Sequence, residues 1–306
     1  MKQGESSITS LVSAFGRAYH SQFGEPKIFD DYIVRALISE REFQDIRENM
    51  ISGVEFFNRD IAEKYKDDPE EMLKWITQVQ LSSTTLARAA YCEKVLSNAL
   101  DEGTEQYVIL GAGLDTFCYR HPDLEASLEV FEIDHPATQQ FKRNRLAEKN
   151  FMIPDNLHFI SMDFTKGFSL QKLIDKGFDP ARKTFFSLLG VSYYLKKKEL
   201  ALLIQSLFSE MQMGSSIVFD YADEGLFYEK GFSDRVQNMV KMAEAGGEPM
   251  QSSYSFAKIR ELLEGTGLQI SEHLSPQAIQ ASYFQNRQDH LSAFETIHYI
   301  HAVLVE

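Results

Sequence analysis

Cysteine is nearly absent from this chain, with only Cys92 and Cys118 among 306 residues. Two thiols give no disulfide framework and no thiolate metal cage, and each reads as a small buried hydrophobe rather than a nucleophile. Basic residues are scarce against acidic ones, 31 Lys and Arg to 45 Asp and Glu, for a formal net charge of −14. That sign argues against a nucleic-acid partner, because phosphate binding needs a net basic surface. The one dense basic cluster, Lys196-Lys197-Lys198, reads as the start of a helix. No apolar run approaches the roughly 20 residues needed to span a bilayer. Met1-Lys2-Gln3-Gly4-Glu5-Ser6-Ser7 lacks the apolar core of a signal peptide. A cytoplasmic protein with no membrane partner is expected. Metal-ligand spacing is missing too: His298 and His301 lie three apart on a strand, hence on opposite faces, so no metal is expected. There is also no serine nucleophile elbow.

What is present is an ordinary globular composition, 43% hydrophobic and 25% charged, in a chain long enough for a substantial core. Residues 1–100 read as helical. Ile33, Leu37, Ile38 and Ile46 fall on helical spacing, as do Met72, Trp75, Ile76, Val79, Leu86, Ala90, Val95 and Leu96. Asp68-Pro69 offers a cap and a first-turn proline, and Gly103 ends the helical region. Beyond it, apolar runs at 106–111, 128–133, 157–161, 184–189, 215–220, 267–272 and 297–304 predict strands. Helical candidates at 136–149, 168–176, 196–211, 255–265 and 276–285 lie between them. Alternation of that kind means βαβ units and a mostly parallel sheet. The last run has no room for another crossover helix before it and is expected as an antiparallel edge strand. The fold class is therefore α/β, a Rossmann-like seven-stranded, mostly parallel sheet. Residues 1–104 form an N-terminal helical cap packed on a core of 105–306. An insertion at 222–253 is expected to act as a lid.

The most informative stretch is Gln106-Tyr107-Val108-Ile109-Leu110-Gly111-Ala112-Gly113-Leu114-Asp115-Thr116. An apolar strand enters a glycine-rich turn, in which Gly111 and Gly113 allow a tight backbone and the close approach of a ligand. Roughly 20 positions on, Glu132 and Asp134 end a second strand and offer carboxylates to ribose hydroxyls. A dinucleotide would want a third glycine where Thr116 stands, and Asp115 beside it would repel a pyrophosphate. A cofactor with an amino-acid tail, whose ammonium accepts acidic partners, fits better. This reading favours S-adenosylmethionine over NAD and makes an NAD-linked oxidoreductase the weaker rival.

With those residues in view, the chain resembles the leucine carboxyl methyltransferase-like group of S-adenosylmethionine-dependent methyltransferases, which includes bacterial proteins assigned to polyketide O-methylation. The likeness runs from about residue 28 onward. It rests on Phe29-Asp30-Asp31, on Leu110 through Thr116 with Tyr119-Arg120, and on Phe131-Glu132-Ile133-Asp134-His135-Pro136. It continues through Met162-Asp163-Phe164, Gly190-Val191 with Tyr194-Leu195, Phe219-Asp220-Tyr221 and Gly247-Glu248-Pro249. The resemblance implies that Gly111 and Gly113 line the methionine part of the cofactor. It implies that Asp134 accepts from the ribose, with Glu132 as substitute, that Asp163 holds the adenine amino group, and that Phe164 packs near the ring. Arg88 would pair with the cofactor carboxylate, which suits guanidinium geometry. Where the family commonly carries glutamate before the Gly-Val piece, this chain has Leu189.

The expected function is methyl transfer from S-adenosyl-L-methionine, leaving S-adenosyl-L-homocysteine, to an oxygen of a small molecule. The acceptor is expected to be a carboxylate or hydroxyl, and the resemblance implies a polyketide-like molecule. Tyr194 is the candidate catalytic residue; His135, Tyr283 and His298 are other conceivable bases, and nothing in the sequence selects one. Asp220 and Tyr221 border the site if the fifth strand ends there. Phe227, Tyr228, Phe232, Tyr254 and Phe256 suggest a pocket for an apolar or aromatic acceptor, or simply pack the insertion. Two alternatives stay open: methylation of a protein's terminal carboxylate, and a non-catalytic cofactor-binding regulator, which Leu189 keeps in play. The sequence sets no oligomeric state.

Overall fold

The Ser7 hydroxyl accepts from the backbone N–H of Ser10 and caps α1 (Ile8–Phe23), the first element of the computed structural model, which describes residues 7–305. A 3-10 turn at Val34–Leu37 leads to α2 (Glu40–Phe57), which starts at a capping box in which Ser39 and Glu42 satisfy each other's backbone N–H. After α3 (Arg59–Lys64), Asp68 caps α4 (Pro69–Ile76) with Pro69 in its first turn. A π-helical segment, Thr77–Ser82, joins α4 to α5 (Ser83–Asp101). The helix expected over 70–100 is thus one path with a widened turn in the middle. Gly103, at φ +89°, turns the chain toward the sheet.

From there strands and helices alternate. They are β1 (Gln106–Leu110), α6 (Phe117–Arg120), β2 (Glu129–Asp134), α7 (Pro136–Glu148), β3 (Leu157–Ser161), α8 (Leu170–Ile174) and β4 (Thr184–Leu188). Then come α9 (Lys197–Phe208), β5 (Ser216–Ala222), α10 (Arg235–Ala245), α11 (Phe256–Glu264), β6 (Leu268–Leu274), α12 (Pro276–Ile279) and β7 (Ile297–Leu304). The seven strands stand in the order β3-β2-β1-β4-β5-β7-β6. Strands β1 to β5 pair in parallel, and β7 runs antiparallel to both neighbours. One expectation fails here: β7 is antiparallel but not an edge strand. It is covered on both sides, whereas β6 carries Gln269, Ser271 and Glu272 outward and forms the edge. The reason is polarity, since an exposed edge tolerates what an inner strand cannot.

Each sheet face has its own core. On one, Val108, Phe131, Phe186 and Phe219 pack under Leu200, Ile204 and Leu207 of α9 and Ile259 and Leu263 of α11. On the other, Tyr107, Ile109, Val130 and Phe185 meet Leu86, Tyr91, Cys92 and Leu96 of α5. A third cluster joins Ala14, Phe15 and Ala18 of α1 to α2 and α4, and it includes Leu114 from the turn after β1. The N-terminal helices are therefore packed directly on the glycine-rich turn.

Candidate active site

The carboxyl ends of β1, β2 and β4 open into a cavity of about 360 Å³. Its position follows from topology: β1 and β4 are neighbours from which the chain winds in opposite directions, the switch point where ligands sit in open α/β sheets. Gly111 and Gly113, Asp134, Asp163 with Phe164, and Arg88 line this cavity together with Tyr194. All seven residues singled out from the sequence thus share one space. Glu132, the substitute for Asp134, does not line it. It is buried in an ion pair with Lys142 of α7, and burial raises its carboxyl pKa despite that partner.

Asp134 closes β2 and reaches across to the turn after β1. One carboxylate oxygen accepts from the Gly113 backbone N–H at 2.5 Å, the other from its neighbour His135 at 2.6 Å. Burial raises its pKa, and these two donors only partly offset that. Gly113 stands at φ +53°, and a Cβ there would come within 2.5 Å of the Ser10 hydroxyl on α1. The space left by this missing side chain is occupied by the N-terminal helix. Asp163 follows β3 and accepts from the Thr165 backbone and hydroxyl, with Lys166 Nζ at 3.2 Å. Its partial burial is outweighed by those partners, and its pKa lies below the usual carboxylate value.

Arg88 enters from α5. Its NH1 donates to the Tyr193 hydroxyl at 3.0 Å and to Asp220 at 3.3 Å. Asp220, fully buried on β5, also accepts from the Gly190 backbone at 2.6 Å. Burial opposes the charge on Arg88, yet Tyr193 and Asp220 hold its pKa above the ordinary value. Gly190, at φ +72°, provides the room: a Cβ there would lie 2.5–2.7 Å from the guanidinium atoms. Asp220 therefore borders the site through Arg88, whereas Tyr221 points to the opposite face and meets His273 at 3.2 Å.

Among the conceivable bases, His135 and Tyr194 reach the cavity, and Tyr283 and His298 are not among its lining residues. His298 instead bridges His273 and Asp223, each at 3.0 Å. His135 Nδ1 accepts from the Ala137 backbone, which leaves the ring's proton on Nε2. Tyr194 is pushed up to about 12 by burial, so it keeps its proton at neutral pH. The insertion contributes Glu248, Pro249 and Gln251 to the wall rather than its aromatic rings. Phe227, Tyr228 and Phe232 are at least half exposed, and Tyr254 and Phe256 pack in the α9–α11 core. The expected aromatic acceptor pocket is not built from them. Leu189 does line the cavity, as an apolar wall.

Sequence reasoning expected helix over these residues but missed the part that α1 takes in the site. Ser7, Thr9, Ser10, Ser13 and Arg17 roof the cavity, and Arg17 donates to Asp31 and to the Leu114 carbonyl of the glycine-rich turn, both at 2.9 Å. The only available signal was the amphipathic pattern of residues 8–23. Among the described residues, no group of three or more His, Cys, Asp or Glu side chains is arranged to hold a metal ion. Nor is any helix long and apolar enough to cross a membrane.

This sheet, with a glycine-rich turn after β1 and an acidic residue closing β2, is the architecture of class I S-adenosylmethionine-dependent methyltransferases. A DUF574 family protein from Streptomyces avermitilis has the same fold, with a TM-score of 0.56 and 12% identity over 97% of each chain. The leucine carboxyl methyltransferase family model matches residues 10–208, and the chain belongs to that family. A Bacillus subtilis relative, named "Putative S-adenosyl-L-methionine-dependent methyltransferase YktD", is 62% identical over 303 residues, 99% of both chains. A Mycobacteroides abscessus protein with the same description is 32% identical over 164 residues, 54% of this chain and 53% of its own. The chain is an S-adenosylmethionine-dependent methyltransferase.

Proposed function

We propose that this enzyme transfers the methyl group to an oxygen of a small molecule, and specifically to a carboxylate that arrives already ionised. The observation that carries the reading is that neither of the conceivable bases that reach the cavity, Tyr194 and His135, stands ready to take a proton, while the lining carboxylates Asp31, Glu93, Asp115 and Glu248 already accept hydrogen bonds. Tyr194 retains its proton, His135 presents Nε2–H, and Asp134 and Asp163 are occupied by hydrogen bonds. A hydroxyl acceptor would need one of them to take a proton; a carboxylate needs none. The carboxyl chemistry in the family's name points the same way. The roof formed by α1 and residues 248–251 favours a small acceptor over a protein terminus.

The residues present suit the cofactor. Asp134 offers acceptor oxygens where a ribose would lie, and Asp163 does so at the adenine end. Arg88 is held along one edge by Asp220 and lines the cavity where the tail carboxylate would sit. Asp115, also in the lining, suits the ammonium. When bound, the cofactor supplies an electrophilic methyl group on a sulfonium. The protein's own work is alignment and exclusion of water. Leu189, Val191 and Leu195 present apolar surface, and α1 covers the opening, so acceptor and methyl donor meet in a dry, fixed geometry. Tyr194, a proton donor at neutral pH, is placed to orient the acceptor.

The test is to incubate the enzyme with radiolabelled S-adenosylmethionine and a panel of carboxylic acids and phenols, then treat the products with mild alkali. Methyl esters release volatile methanol and ethers do not. Alkali-stable methyl products would overturn the carboxylate assignment.

A further inference from the structure

The N-terminal helix does more than cover the cavity. The Ser7 hydroxyl and the Thr9 backbone N–H both donate to Glu248 Oε2, at 3.0 and 3.2 Å, and the Ser7 N–H donates to Thr138 on α7 at 3.2 Å. The first turn of α1 is therefore strapped across the opening between two walls. One is α7 beside Asp134; the other is the segment after α10. Glu248 belongs to the Gly247-Glu248-Pro249 piece, which the cofactor roles leave unexplained.

Under this strap one polar atom lacks a protein partner. Ser10 Oγ is buried and unbonded, while the backbone of Ser10 is satisfied by the Ser7 cap. It stands against Gly113, the residue whose N–H meets the Asp134 carboxylate. A buried hydroxyl without a partner is costly, and Ser10 is one of the residues that line the cavity, where a ligand could supply one.

We propose that Ser10 is a further cofactor-binding residue. Its hydroxyl hydrogen-bonds the nucleoside of S-adenosylmethionine beside Asp134, so that α1, latched by Glu248, closes on the cofactor. The inference rests on the reading that Asp134 marks the ribose. In this arrangement Asp134 holds the nucleoside from the sheet side and Ser10 from the roof. The cofactor leaves when the first turn of α1 lifts from Glu248.

The experiment uses the full-length enzyme and S-adenosylhomocysteine as probe. Ser10→Ala is expected to raise the Kd by about 3- to 10-fold, the range of one hydrogen bond, with the melting temperature of the ligand-free protein unchanged. Glu248→Gln is expected to speed release of the probe several-fold. Hydrogen exchange across residues 8–23 should slow when the probe is added to the parent enzyme, and less so in Ser10→Ala. Asp134→Ala is run alongside. If it weakens binding while Ser10→Ala does not, the strap contact is wrong and the ribose reading stands. If neither variant changes the Kd, both fall. Unchanged exchange in α1 on addition of the probe would overturn closure by itself.

Discussion

The Asp134 carboxylate accepts a hydrogen bond from the Gly113 backbone N–H across 2.5 Å, tying the tip of β2 to the turn after β1. The same carboxylate satisfies the His135 N–H, so it holds the local backbone and faces the cavity at once. Asp134→Ala should raise the Kd for S-adenosylhomocysteine about 10- to 100-fold, the range of a hydrogen bond to a charged group. It should also lower the melting temperature by a few degrees, because two backbone donors lose their acceptor. Calorimetry and thermal melting separate the effects. Unchanged affinity would remove the ribose assignment.

Arg88 and Asp220 should behave as a structural pair as well as a site. Arg88→Met strands a fully buried carboxylate, a change that typically costs about 3–5 kcal/mol. Adding Asp220→Asn should recover much of that stability, since no unpaired charge then remains. Cofactor affinity should stay low in the double variant if Arg88 binds the tail carboxylate. Denaturant unfolding and calorimetry on the same preparations decide this; affinity that returns with stability would show that Arg88 only supports the fold.

Gly190→Ala probes the site without touching a polar group. The new methyl would meet the Arg88 guanidinium at a backbone φ of +72°, where a side chain is strained. A cost of about 1–3 kcal/mol is expected, with a weaker cofactor complex as the guanidinium is displaced. A variant with parental melting temperature and affinity would contradict this packing.

Acid should destabilise the fold partly through His20. Its Nε2 accepts from the Ile28 N–H at 2.9 Å, and burial, with Arg287 and Lys27 nearby, lowers its pKa from 6.5 to about 4. Above pH 6.5 the ring is neutral in both states and this contribution to stability is fully present. As the pH falls from 6.5 toward 4, the unfolded chain takes up a proton that the folded protein does not, and stability declines by roughly 3 kcal/mol in all. His20→Gln retains an acceptor but does not titrate. Its stability should fall less steeply over that window, as measured by urea unfolding at several pH values.

Most of the fold was legible because its signals are local. Seven apolar runs became seven strands with ends shifted by a residue or two, and Asp68-Pro69 began its helix as expected. The position of β7 was not legible, because strand order depends on which of β6 and β7 tolerates exposure, a property of the assembled sheet. The site was half legible. Glycines and acidic residues at strand ends advertise themselves, whereas Ser10 and Glu248 acquire meaning only through contacts with residues far away in the sequence. The aromatic residues of 222–256 left two readings open for a related reason: composition shows that rings are present, not which way they face.

The bond between Ser7 and Glu248 spans 241 positions. At typical translation speeds of 5–20 residues per second, α1 leaves the ribosome about 12 to 50 seconds before its latch exists. Its apolar side meanwhile finds Val34, Leu37 and the segment 77–82, all of which are made early. Newly made protein thus has a shelter for its first helix well before it has a closed pocket, and the capacity to retain cofactor is among the last properties the nascent chain acquires.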